Sequence, residues 1–437
     1  MYQNPFKTAS LSIQHVLAMY AGAIIVPLII GGALNMTSKQ LAYLVSIDIL
    51  TSGIATILQV WQNRFTGIGL PIVLGCTFTA VGPIIAIGGQ YGLSAIYGSI
   101  IMSGIIVILI ANFFGKLIKF FPPVVTGSVV TIIGLTLIPV AMNNVAGGVG
   151  SPDFGSGSNL ALAFGTLFLI IAIYRFFKGF IRSIAILLGL IAGTIAASFM
   201  GKVNLSAVSD ASWIHMVKPM YFGTPTFHLA PILTMTLVAI VSLVESTGVY
   251  FALSDITGRK LTEKDLIKGY RAEGLASILG GLFNSFPYTT YSQNVGLVQL
   301  SGGKDKKVIY TVGSILVLLG FVPKIATLTT IIPTPVLGGA MVAMFGMVIA
   351  AGIKMLSKVD FSSQENLLII ACSVGMGLGV TSVPNLFSHM PETVKILSNS
   401  GIVAGSLTAI LLNIIFNVLK STKKIQSSSQ TTNQTVA

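Results

Sequence analysis

Charge is the scarcest commodity in this sequence. Only 8% of its 437 residues are Asp, Glu, Lys or Arg, and just 12 are acidic, against roughly 25% charged residues in an ordinary soluble domain. Cysteine is nearly absent too. Cys76 and Cys372 lie in separate apolar stretches without CxxC spacing or a nearby His pair, which argues against a zinc site or a disulfide framework and for small packing residues. No metal-ligand cluster, nucleophile motif or long catalytic loop is present, so an enzyme is a poor reading. What fills the chain is apolar: 53% hydrophobic residues and 47 glycines, with a mean hydropathy of +0.89. A soluble fold of this size could not bury so much apolar surface. Lipid is the natural solvent, and the glycines suit close helix packing in a bilayer. The net charge of +13 does not indicate nucleic-acid binding, because the basic residues form no long run and sit between stretches of membrane length.

A spanning helix needs roughly 20 apolar residues. Candidate segments lie near 11–33, 41–60, 71–87, 94–114, 123–142, 159–176, 183–200, 229–253, 270–286, 289–300, 308–323, 335–353, 365–382 and 400–419, about fourteen in all. The first is too long for the core of a cleavable signal peptide, and no cleavage site follows it. If the segments alternate sides from a cytoplasmic N-terminus, 20 Lys and Arg residues face the cytoplasm and 5 face out. Cytoplasmic loops collect positive charge, so both termini are expected in the cytoplasm of a cell-membrane (inner-membrane) protein. The tail over 421–437 is Ser/Thr/Gln-rich and is expected to be disordered.

Segments three and ten differ from the rest. They are short or interrupted by Pro71, Gly75, Gly82 and Pro83, and by Pro287 and Gly296. The second half also echoes the first: Pro123, Gly127 and Gly134 recur as Pro335, Gly339 and Gly346 at an offset of 212, and Cys76–Thr79 align with Thr289–Ser292 at 213. Seven segments per half is an odd number, so the copies would lie inverted, with broken segments facing one another near the midplane, as in secondary transporters. The expected fold is therefore an all-α polytopic membrane protein built as a 7+7 inverted repeat. Two short strands, one in each of broken segments 3 and 10, would pair antiparallel. Extended backbone is tolerated at that depth only where protein or a cavity satisfies it.

Three acids fall inside membrane segments: Asp48, Glu245 and Glu273. Charge there is costly and usually marks a pathway. Glu245 reads as a substrate or proton ligand, the plain alternative being a carboxyl that only hydrogen-bonds a neighbouring helix. Glu273 stands early in its segment, where a solvated interfacial acid is the alternative, and Asp48 stays open between the two readings. His15 is the one histidine placed mid-segment, a substrate contact or a structural hydrogen-bonder. Gln293 offers a carbonyl acceptor beside an amide donor, and Phe78 and Tyr291 offer aromatic faces. Together these suit a flat polar heterocycle and select no named base.

The stretch Gln293-Asn294-Val295-Gly296-Leu297-Val298-Gln299-Leu300-Ser301-Gly302 resembles the signature [QEP]-N-x-G-x4-T-[RKG] of the nucleobase–ascorbate transporter family, with Ser301 in place of Thr. Gln14-His15 resembles that family's first-helix motif. Glu245 stands where the family carries its substrate-binding acid, and Glu273 where xanthine members commonly carry Asp. The resemblance spans about residues 5–420. It implies a core domain from 1–122 and 229–333, and a gate domain from 123–228 and 334–420 that forms a homodimer. It further implies that Glu245 and Gln293 bind the base with help from backbone amides near Phe78 and Ser292, and that His15, Glu273 and Asn294 support or couple. A motif opening on Gln-Asn points to purines, xanthine foremost. Uracil and uric acid carriers of the family, or an anion transporter of the same fold, are the alternatives.

The expected mechanism is alternating access with proton symport. Glu273 is the first candidate for the coupling proton and Glu245 the second, since protonation removes a buried charge. No cofactor or metal is expected, only the coupling proton, membrane lipid and the purine.

Overall fold

The computed structural model describes residues 5–117, 121–209, 211–214, 216–301, 305–383, 385–391 and 400–419. The expected tail at 421–437 lies outside them.

With no water at membrane depth, backbone groups must be satisfied within the chain, and helices do this segment by segment. The first half runs α1 (Pro5–Ala33), α2 (Ser38–Val60), β1 (Leu74–Cys76), α3 (Val81–Tyr91), α4 (Leu93–Leu117), α5 (Pro123–Val145), α6 (Gly157–Phe176), short α7 (Gly179–Ser183), α8 (Ala185–Phe199) and short α9 (Ser206–Ser209). The second half runs α10 (Leu229–Thr257), α11 (Glu263–Leu282), β2 (Tyr288–Thr290), α12 (Ser292–Ser301), α13 (Lys306–Gly320), α14 (Pro323–Thr330), α15 (Thr334–Leu356), α16 (Gln364–Ser382) and α17 (Gly401–Asn413). Among the described residues, nine helices are long and apolar enough to cross a membrane, and α13 with α14 makes a tenth span bent by 79°. Adding α8, α11 and the two broken segments β1–α3 and β2–α12 gives the fourteen segments expected.

Two of the differences from the expected boundaries have a local cause. Helix α11 begins at Glu263 rather than near 270, because Thr262 and Asp265 form a capping box that satisfies orphan N–H groups outside the apolar run. Segment eleven turns sharply before α14, which starts at Pro323, where the ring allows a new helix but not a continued one.

The two strands pair antiparallel, with Leu74 opposite Thr290, Gly75 opposite Thr289 and Cys76 opposite Tyr288. The ladder extends one bond at each end: the Thr77 N–H donates to Pro287 O over 3.0 Å and the Tyr291 N–H to Val73 O over 2.9 Å. Shifted by the repeat offset of 213, the Gly75–Thr289 pair becomes Cys76–Tyr288. The register thus maps onto itself, and the pseudo-two-fold of the repeat passes between these two pairs. Each strand finds in its repeat copy the partner its backbone needs.

By contacts the chain divides into one unit of residues 1–115 and 137–346 and another of 116–136 and 347–437. The boundaries fall inside α4, α5 and α15, those in α5 and α15 at nearly equivalent points of the repeat. Residues 137–228 and 334–346 group with the stretch that holds both strands. Within that unit, helices approach closely through glycine. A Cβ on Gly53 of α2 would stand 2.6 Å from Gly313 O of α13, and one on Gly313 would stand 2.9 Å from Gly53 O.

Candidate functional site

The strand crossing organises the polar residues of the first unit. Helix α10 packs against β2, the 3-10 turn Phe78–Ala80 and α12. Ser242, Ser246 and Tyr250 repeat at four-residue spacing on α10, which puts them on one face. Ser242 Oγ lies 3.3 Å from Thr77 Oγ1 at the end of β1. Ser246 Oγ lies 2.9 Å from Thr289 Oγ1 on β2. Tyr250 donates to Glu273 Oε1 on α11.

Glu273 is buried and both its oxygens are engaged, Oε2 by the Ser246 hydroxyl at 3.0 Å and Oε1 by Tyr250. Tyr250 in turn accepts from Gln59 Nε2 of α2. Gln59 also donates to Gly269 O over 3.3 Å and accepts the Ile68 N–H over 3.4 Å. A buried carboxyl thus sits in a fully connected polar chain rather than in an ion pair, which the low dielectric of the site makes consequential. The solvated interfacial reading of Glu273 does not describe this placement.

Glu245 precedes Ser246 on α10, is half-buried, and acts electrostatically on Glu273 and on Tyr291. Among the described residues no hydrogen bond to it is seen. Phe78 is half-buried and meets Phe345 edge-on, ring centroids 5.7 Å apart. Tyr291 is buried and its ring lies against Gly22 of α1 and Gly75 of β1. Ser292 opens α12 and is exposed. The Gln293 backbone is in α12, while its side chain lies outside the described residues. Thr77 caps the 3-10 turn by accepting the Thr79 N–H over 3.2 Å. Both broken segments therefore begin helical structure next to the crossing, where the positive end of the helix dipole lies.

Asn294 and His15 are brought together from 279 residues apart: Asn294 Nδ2 lies 3.0 Å from His15 Nδ1. An amide nitrogen only donates, so Nδ1 accepts and a neutral His15 carries its proton on Nε2. Asp48, also buried, accepts from Ser285 Oγ at 3.0 Å and Tyr288 Oη at 2.9 Å through Oδ1. Four buried polar atoms around α12 and the 3-10 turn, His15 Nε2, Thr79 Oγ1, Tyr291 Oη and Asn294 Oδ1, have no hydrogen-bond partner among the described residues. No group of three His, Cys, Asp or Glu suited to a metal ion occurs among them either.

Sequence reasoning does not single out Ser246, Tyr250 or Gln59. The four-residue spacing of Ser242, Ser246 and Tyr250 beside Glu245, and one glutamine inside the apolar run of α2, are the signals that would find them.

Comparison with known proteins places this arrangement. The chain is 67% identical over 431 residues to the xanthine permease of Bacillus subtilis, covering 99% of this chain and 98% of that one. It is 65% identical over 413 residues to the uric acid permease PucK of the same organism, covering 94% and 96%. Among solved structures, the transmembrane domain of the cyanobacterial bicarbonate transporter BicA superposes with a TM-score of 0.60 at 16% identity, over 94% of this chain and 99% of that one, a likeness of fold in which the 7+7 arrangement recurs. The Permease family model, Xan_ur_permease, matches residues 6–386. A multi-pass membrane chain with this fold, these relatives and this family match is a transporter rather than an enzyme, and it belongs to the nucleobase–ascorbate transporter family of permeases.

Proposed function

We propose that the protein imports a purine base, xanthine first, together with protons, by alternating access. The observation that carries this reading is the crossing of β1 and β2 beside α10, where the half-buried Glu245 stands next to a serine bonded to the buried Glu273. Glu245, Gln293 and the amides near Phe78 and Ser292 bind the edge of the ring, and Phe78 and Tyr291 contribute aromatic surface. The unmatched donors and acceptors on Thr79, Tyr291, Asn294 and His15 support a ligand rich in N–H and C=O groups. The relatives' names support purines. Uric acid is the second reading, favoured by the 65% identity to PucK.

Glu273 carries the coupling proton, with His15 and Asn294 in support. Its protonation removes the charge before the loaded site crosses the membrane, and the membrane potential favours inward proton movement by about 2.3 kcal/mol per charge at 100 mV. The carrier works in the cell membrane with both termini in the cytoplasm, which the 20 to 5 division of Lys and Arg supports. It acts as a homodimer joined by its gate domain, residues 123–228 and 334–420.

The test is labelled xanthine uptake into cells without purine permeases of their own, with unlabelled uric acid, guanine, hypoxanthine and uracil as competitors. Glu245→Gln and Gln293→Ala are each expected to abolish uptake with membrane levels unchanged, and a protonophore to collapse accumulation. Normal uptake by both variants would refute the site. Accumulation that survives the protonophore but needs sodium would refute the coupling ion.

A further inference from the structure

The hydrogen bonds around Glu273 fix where its proton sits and what that proton does. The Gln59 amide is oriented by two backbone groups: its nitrogen faces Gly269 O and its oxygen accepts the Ile68 N–H. Its Nε2 therefore donates to Tyr250 Oη. With that lone pair used, the Tyr250 hydroxyl proton points to Glu273 Oε1. Oε1 is thus an acceptor whether Glu273 is charged or neutral. The proton of the neutral carboxyl is left to Oε2, the oxygen 3.0 Å from Ser246 Oγ.

Ser246 is wholly buried and has one proton and two lone pairs to distribute. One lone pair faces the Thr290 N–H at 3.4 Å. The Thr290 hydroxyl donates to the other over 3.2 Å, and the remaining neighbours are Glu273 Oε2 and Thr289 Oγ1 at 2.9 Å. When Glu273 is ionised its oxygens can only accept, so Ser246 donates to Oε2 and accepts from the Thr290 hydroxyl. When Glu273 is protonated, Oε2 donates to Ser246 in place of the Thr290 hydroxyl, which turns away, and the serine proton turns toward Thr289. The direction of the chain reverses at the strand that leads into Tyr291 and Ser292 and pairs with Gly75.

We infer that Ser246 is a relay: it transmits the protonation state of Glu273 to β2 as a reversal of hydrogen-bond direction, and so couples proton binding to purine binding. This rests on the reading of Glu273 as proton carrier given above. The titratable groups facing Glu273 are Tyr250 and Glu245 on α10 and Tyr270 on α11 itself. On β2, Tyr288 is turned instead to Asp48 of α2. Among the described residues no Lys, Arg or His pairs with Glu273, so none can neutralise it in place of the proton. Ser246 is a positioning residue, since it acts on the substrate strand through Thr289 and Thr290.

The experiment uses purified full-length protein. Labelled xanthine binding is measured from mildly acidic to mildly alkaline pH, and proton uptake on adding xanthine is followed in weak buffer. Coupling between two sites is reciprocal, so both signals must move together. The wild type is expected to change affinity at least about fivefold across that range and to take up protons on binding. Ser246→Ala is expected to bind at acidic pH within about threefold of wild type, to vary less than about twofold with pH, and to take up no protons. Ser246→Thr, which keeps the hydroxyl, is expected to restore both signals. A Ser246→Ala protein with the wild-type pH slope and proton uptake overturns the relay. So does loss of binding in Ser246→Ala that Ser246→Thr does not repair, since that marks a merely structural role. Wild-type binding without proton uptake overturns proton coupling and the relay with it, whereas a wild type that binds no purine overturns the substrate reading itself.

Discussion

The ring of Tyr291 occupies the space that Gly75 leaves on β1. A Cβ on Gly75 would stand 2.5 Å from Tyr291 Cε2, and one on Gly22 would stand 2.0 Å from its Oη. The tyrosine is wedged between a helix and a strand that both do without side chains at that point. Gly75→Ala and Gly22→Ala are therefore expected to displace the ring and the start of α12 behind it. Overpacking of this kind costs about 1–3 kcal/mol. Each variant should reach the membrane yet take up labelled xanthine at less than about a tenth of the wild-type rate, which is the effect of roughly 1.4 kcal/mol on a barrier. Uptake within twofold of wild type in both would show that Tyr291 has room to spare.

Asp48 gives a stability prediction. Its Oδ1 accepts from both Ser285 and Tyr288, which also lie 2.7 Å from each other. Removing a partner from a buried polar group costs about 1–3 kcal/mol, so Ser285→Ala and Tyr288→Phe should each lower the melting temperature of the purified protein. Because they serve one carboxyl, their effects should not add. Replacing the carboxyl by an amide, Asp48→Asn, should recover part of the loss in the double variant. Strict additivity, or no recovery, would mean that Asp48 is not what the two hydroxyls stabilise.

The membrane architecture is legible in this sequence because lipid imposes simple demands. Length and hydropathy locate the helices, and Pro71, Gly75, Pro287 and Gly296 mark where two of them must break. That the broken parts pair as strands is also accessible, since polar backbone at that depth needs a partner. The network around Glu273 is less so. A hydroxyl in an apolar helix commonly bonds the carbonyl four residues back, as Thr234, Thr236 and Thr247 do here. Nothing local announces that Ser246 instead turns to α11 and β2. Likewise His15 and Asn294 stand out singly, and only the packing of α1 against α12 makes them a pair. The start of α11 escapes hydropathy because Glu263, Lys264, Asp265 and Lys268 crowd its first turns, where capping rather than burial holds the helix.

That capped end carries a pH prediction. Burial pushes the Asp265 carboxyl up, but the N–H and hydroxyl of Thr262 and the charges of Arg259 and Lys268 outweigh it and hold it below its ordinary value. Arg259 also ties the loop down, donating to Ile68 O and Gly69 O at 2.9 Å and pairing with Asp265 at 2.9 Å. A carboxyl depressed in the folded state stabilises it above the unfolded value of about 3.9, and that contribution is lost as pH falls through the folded value. Asp265→Asn should therefore melt lower than wild type at neutral pH and lose less of its stability on acidification. Parallel acid profiles for the two proteins would exclude Asp265 as a contributor.

Tyr250 decides which oxygen of Glu273 can hold a proton. With its hydroxyl donating to Oε1, the proton is confined to the side facing Ser246. Tyr250→Phe removes that constraint and leaves Oε1 free to take the proton, where it no longer reaches the serine. Part of the neutral population would then fail to signal to β2. The variant should exchange labelled for unlabelled xanthine across the membrane at close to the wild-type rate, because the strand crossing is intact. Accumulation against a gradient should fall about fivefold or more, the lower range of typical coupling between sites. Exchange and accumulation lost in equal measure would instead mean that Tyr250 holds the fold and has no part in directing the proton.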